Sequence, residues 1–170
     1  MHAADVVIDI TEVDTSAMYP LGQEFYAPPT SQATVTTSKP AANTGPRVWV
    51  YVFNDDTPAF AAGEVIMRDA STTTYDGLVT SGSTPAIRVL GVAQHAIAAG
   101  SYGWILKRGL GEIAVEDTGA NQDDTALVSA AAGRVDSMVG GEEHEVIAWA
   151  TESAAGTAGA LLTGWINCPG

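Results

Sequence analysis

Cysteine is almost missing from this chain: Cys168 is the only one in 170 residues. A lone thiol excludes an internal disulfide and leaves no thiolate cluster for a structural zinc. Basic residues are scarce too, with seven Lys and Arg against 20 Asp and Glu, for a net charge of −13. Phosphate backbones repel so acidic a chain, so no direct nucleic-acid binding is expected, and a neutral or basic protein surface is the better partner. No apolar run reaches the length of about 18 residues that a membrane span needs, and no signal-like n- and h-region opens the chain. Neither membrane insertion nor secretion is expected, and synthesis in a cytoplasm-like compartment is. Charged residues make up only 16% and hydrophobic ones 46%, much of it alanine. A core built from such small side chains suits sheets better than long helices, and the length suits one core.

What is present from Arg47 onward is a series of short apolar runs divided by turn residues. RVWVYVF (47–53), GEVIM (63–67), AIRVLGVAQHAI (86–97), GWILK (103–107), EIAV (112–115), TALVS (125–129), RVDSMV (134–139), EVIAWAT (145–151) and ALLTGWI (160–166) read as strands. Strands recurring every 8–12 residues or so, split by Gly, Asp, Asn and Pro, indicate an all-β sandwich or barrel. DDTALVSAAA (123–132) can be read as a strand and turn or as a short helix capped by Asp123 or Asp124. The triplet AAG recurs at 61–63, 98–100, 131–133 and 154–156, each time just before an expected strand. It reads as one turn chemistry reused, with a glycine able to take positive φ where a strand begins.

The first 46 residues differ in kind. ADVVIDITEVD alternates apolar and acidic residues and reads as a strand with Val6, Ile8 and Ile10 on one face. Residues 18–46 hold five of the eight prolines, with many Ser and Thr and little aliphatic bulk. Residues 1–46 therefore read as an extended arm and 47–170 as the β domain. Tyr19, Phe25 and Tyr26 punctuate the arm, and either fold back on their own domain or dock on a neighbouring subunit.

Motifs for chemistry are sparse. GLGEIA (109–114) fits the letters of a dinucleotide-binding loop, but the following EIAVEDTG alternates as a strand and offers no helix N-terminus to a pyrophosphate. A hairpin of GWILK and EIAV around residues 108–111 is the better reading. His2, His95 and His144 have no metal-site spacing, and the acid pairs at 54–57, 115–118, 122–125 and 141–144 do not follow a calcium-loop pattern. No serine sits in a G-x-S-x-G elbow. No catalytic, cofactor or metal residues are assigned, and the chain is not expected to be an enzyme. The four tryptophans, Trp49, Trp104, Trp149 and Trp165, lie in expected strands and anchor a core face or an interface. For Trp104, close behind Tyr102 and Gly103, core and subunit contact both remain open.

The pieces GEVIM (63–67), RVLGVAQHAIAAGSYGWILKRGLGEIAVEDT (88–118), DDTALVSAAAGRV (123–135) and EVIAWATESAAGTAGALLTGWI (145–166) together resemble phage capsid decoration proteins, also called cement or head-stabilising proteins. Gln122-Asp123-Asp124-Thr125 departs from that pattern where Gly-Asp is usual, and the N-terminal arm is longer. The resemblance implies a small antiparallel β-barrel or β-tulip-like domain, clustered as a homotrimer about a capsid symmetry axis. It implies a non-enzymatic role on the outer surface of the virion, with the major capsid protein as partner and no cofactor. A tail, fibre or knob component that binds a host receptor is the alternative. Tyr19, Phe25, Tyr26, Tyr102 and Trp104 are the expected interface residues.

Overall fold

The computed structural model describes residues 8–27, 45–71, 75–82, 84–116, 125–153 and 157–170. Val6, Asp123, Asp124, the proline-rich stretch 28–44 and the AAG at 154–156 lie outside them. The chain is all-β. Its strands are β1 (Val13–Asp14), β2 (Glu24–Ala27), β3 (Arg47–Asn54), β4 (Val65–Arg68), β5 (Asp76–Val79), β6 (Val89–Val92), β7 (Tyr102–Ala114), β8 (Ala126–Ser129), β9 (Val135–Ser137), β10 (Val146–Ala150) and β11 (Leu161–Asn167).

Strands β3, β5, β4, β6 and β7 close into a barrel, because β3 pairs with β7 as well as with β5. The β3–β5 pairing is parallel, Phe53 opposite Asp76, so the barrel is mixed and not the antiparallel one expected. β7 also carries a wing of four further strands in the order β11, β10, β8, β9. β3 is rich in β-branched and aromatic residues and is buried on both faces, which is why it reads as a continuous apolar run. Val50, Val52, Ile66, Leu90, Ile105, Phe60 and Ile97 form the core drawn from the barrel strands and their loops. Trp49, Tyr51, Trp104 and Leu106 point the other way, into a second core shared with the wing through Ile113, Leu127, Ile147, Leu162 and Ile166.

β7 overturns the expected hairpin. GWILKRGLGEIA does not turn at its glycines; with Tyr102 before it, it runs through as one strand of 13 residues. Its first half pairs with β3, from Tyr102 opposite Phe53 to Arg108 opposite Val48, and its second half pairs with β11, from Arg108 opposite Asn167 to Ala114 opposite Leu161. A register shift at Val48/Trp49 marks the handover. The glycines admit close neighbours. Gly109 has φ +119°, and a Cβ there would sit 2.8 Å from the Pro46 carbonyl oxygen. A Cβ on Gly111 would collide with Leu106 and the Gln94 amide.

The AAG glycines Gly63, Gly100 and Gly133 all have positive φ, and β4, β7 and β9 each begin two residues later. The described part of 123–132 is strand and 3-10 turn, so the helical alternative falls away there. Among the described residues of ADVVIDITEVD, 8–14, only Val13–Asp14 pairs, with Gly103 and Tyr102.

Of the segment expected to be an arm, residues 8–27 pack on the chain's own β domain. Ile8, Ile10, Tyr19, Leu21 and Phe25 rest against the second core, and β2 adds to β3 with Phe25 opposite Trp49. Aromatic burial outweighs the polar composition around it. Gly111→Ala is expected to destabilise the fold by about 1–3 kcal/mol through overpacking, read as a lower urea midpoint. Gly140→Ala, at a glycine with open space around it, is expected to stay within roughly 0.5 kcal/mol.

Candidate interaction surface

Four of the five residues expected at an interface converge on one another. Tyr51, fully buried, is the hub. Its ring centroid lies 5.0 Å from Trp104, 5.3 Å from Tyr19 and 6.1 Å from Tyr102, while Phe25 stands 6.2 Å from Trp104. The Tyr51 hydroxyl donates to Asp14 Oδ2 at 2.6 Å and accepts from the Met18 N–H at 3.3 Å. Burial and the Asp14 carboxylate hold the Tyr51 phenol well above its ordinary pKa. This knot ties the N-terminal segment to β3 and β7. Trp104 is 1% exposed, so the subunit contact considered for it is corrected: the chain's own Tyr19 and Phe25 cover its indole. Tyr26 is the exception, 60% exposed.

Strand registry places Tyr26 on a broad outward face. Tyr26, Val48, Arg108 and Asn167 are successive cross-strand partners over β2, β3, β7 and β11. The next row runs Leu110, Trp165, Trp149 and Ala126 over β7, β11, β10 and β8. Trp149 and Trp165 are directly opposed and remain 42% and 40% exposed. Leu161 extends the face along β11, and Gly45 passes beside the Trp165 ring. Arg108 Nε donates to Asn167 Oδ1 at 3.2 Å, which fixes the guanidinium over the sheet.

The outward setting of Trp165 carries a signal in ALLTGWI: it alternates in step with Thr163 and Asn167, while Leu162, Gly164 and Ile166 point inward. Trp149 carries no comparable signal, because both faces of β10 are mostly apolar.

Elsewhere polar groups serve local structure. Asn54 is buried at the end of β3, donating from Nδ2 to the Ile97 carbonyl at 2.9 Å and accepting the Asp56 N–H at 2.9 Å. A shallow depression beside β8 and β9 is bounded by Val128, Ser129, Asp136 and Glu142. Its two carboxylates accept the Ser137 and Val139 N–H groups at 2.7 and 2.9 Å. His144 is exposed, 3.5 Å from Glu145 Oε1, and His95 Nδ1 lies 3.0 Å from the Ala96 carbonyl. Among the described residues no three His, Cys, Asp or Glu side chains group as metal ligands. Cys168 is buried, and burial pushes its thiol up to about 12.

No protein-family model matches the chain, and no curated protein matches it.

Trp104→Ala is expected to cost about 3–5 kcal/mol of stability, as for a large aromatic removed from a core. Trp149→Ala should cost on the order of 1 kcal/mol; denaturant unfolding of both variants checks the contrast. Tyr51 and Cys168 have pKa values raised by folding, so their contribution is complete below the unfolded values of about 10 and 8.5 and fades as pH rises above them. Stability measured from pH 7 to 11 should decline. Tyr51→Phe should start about 1–2 kcal/mol lower, having lost the bond to Asp14, and decline less steeply above about pH 10.

Proposed function

We propose that this chain is a non-enzymatic structural protein of a phage virion, which binds the outer surface of the assembled capsid shell and stabilises it. The observation that supports this most is the outward aromatic face, on which Tyr26, Trp149, Trp165 and Arg108 stand exposed on a continuous sheet. Tyrosine, tryptophan and arginine are the residue types that dominate binding energy at protein contacts. A rigid sheet presents them with little ordering cost on association.

The all-β frame and the acidic surface accord with a protein whose work is contact. Its partners in this reading are the major capsid protein and further copies of itself, as a homotrimer. An oligomer engaging several lattice sites gains avidity, because each later contact is intramolecular. Binding only to the assembled lattice stabilises that state by mass action.

Purified protein mixed with expanded empty shells, assembled without it, tests the reading. Co-sedimentation with the shells and a rise in their melting temperature are the expected results, with labelled protein spread over the shell. Labelling confined to one vertex would point instead to a tail or fibre component, and absence of both binding and a melting shift would remove the proposal.

A further inference from the structure

The exposed face is better suited to one kind of occupant than to others. Its two central rows hold Tyr26, Val48, Arg108 and Asn167, then Leu110, Trp165, Trp149 and Ala126. Not one of these eight positions is a carboxylate, in a chain with 20 of them. The acids come next. Glu112 lies two residues beyond Leu110 on β7, opposite Thr163; Glu24 precedes Tyr26 on β2 and pairs with Lys107 at 2.7 Å. An acid-free aromatic centre with carboxylates at its margin is the layout of a protein interface, whose core excludes charged residues and whose rim stays polar and wet.

We infer that the Trp149–Trp165 face is the surface by which the chain seats on a neutral-to-basic protein surface presented by the shell subunits, an inference that rests on the shell-binding reading. The two indoles are its anchor, directly opposed on neighbouring strands and each partly open to solvent. Arg108 is the only formal charge in the two rows; it is exposed and bonded to Asn167 through Nε, and a guanidinium carries further donors suited to carbonyl or carboxylate acceptors.

A second copy of the chain is the poorer occupant. Any contact between copies brings together two bodies that each carry an acid surplus, and a two-fold one also lays the patch against itself. A basic partner meets the rim favourably, and the association rate should then fall as salt rises.

Wild type, Trp149→Ala/Trp165→Ala, Arg108→Glu and the off-face control Ile87→Ala, a 65% exposed residue, are titrated onto expanded empty shells at low and high salt. Sedimentation velocity of each free protein reports its oligomeric state, and thermal unfolding verifies that each variant is folded. Wild type and Ile87→Ala should bind alike, the double variant at least about 100-fold more weakly, and Arg108→Glu at least about 10-fold more weakly through loss of the guanidinium donors, with a salt dependence no weaker than that of wild type and oligomeric state unchanged. Wild-type binding matched by both face variants would overturn the placement of the contact while leaving shell binding intact. Absence of wild-type binding would overturn the shell reading itself. Loss of oligomerisation in the double variant would assign the face to copies of this chain. Should the double variant unfold, Arg108→Glu alone decides between these outcomes.

Discussion

A β-strand can satisfy its backbone groups only where a partner runs beside it, and β7 has to do so in two places. Its first half completes the barrel against β3 and its second half founds the wing against β11, with Arg108 the residue that faces both. The bulge at the handover and the left-handed Gly109 let the strand change neighbours without ending. Both cores depend on it: Ile105 belongs to the barrel core, while Trp104, Leu106 and Ile113 belong to the layer shared with the wing. The outward aromatic face follows from the same continuity, since the rows that carry Tyr26 and Trp165 are joined through Arg108 and Leu110.

The N-terminal segment makes the second dependence. A composition poor in aliphatic residues would stay open to water, yet residues 8–27 are held by a few large contacts. Tyr19 and Phe25 supply apolar area to Trp104, Asp14 supplies an acceptor to the buried Tyr51 hydroxyl, and Gly22 and Gln23 exchange main-chain bonds with Tyr51. Two aromatic rings, Tyr19 and Phe25, and one carboxylate do much of what a run of leucines does elsewhere.

The strand texture of the β domain was legible because period and punctuation are local. RVWVYVF, EVIAWAT and ALLTGWI lie within a residue or two of β3, β10 and β11. β5 escaped notice because Asp76-Gly77-Leu78-Val79 begins with turn letters and spans four residues; its partners β3 and β4 make it a strand. The continuity of β7 was hidden for the same reason in reverse: Gly109 and Gly111 spell a turn, and pairing with β11, about fifty residues downstream, keeps them within the strand. Among the exposed surface residues, Tyr26 was within reach of sequence reasoning. So was Trp165, through its alternation with Thr163 and Asn167, whereas Trp149 was not, because β10 is apolar on both faces and burial there is decided by what covers it.

The shared strand has a consequence for the order in which the molecule comes together. β4, β5 and β6 all lie between β3 and β7 in the chain, and β11 follows β7 by the whole of the wing. During synthesis β3 emerges with a hydrogen-bonding edge that nothing local can cover, and the barrel has no closing member until Tyr102–Arg108 have left the ribosome. Contacts of such long sequence separation fold slowly and leave strand edges open meanwhile. A net charge of −13 sets copies of the chain against one another by like-charge repulsion, which works against pairing of those open edges until β7 arrives.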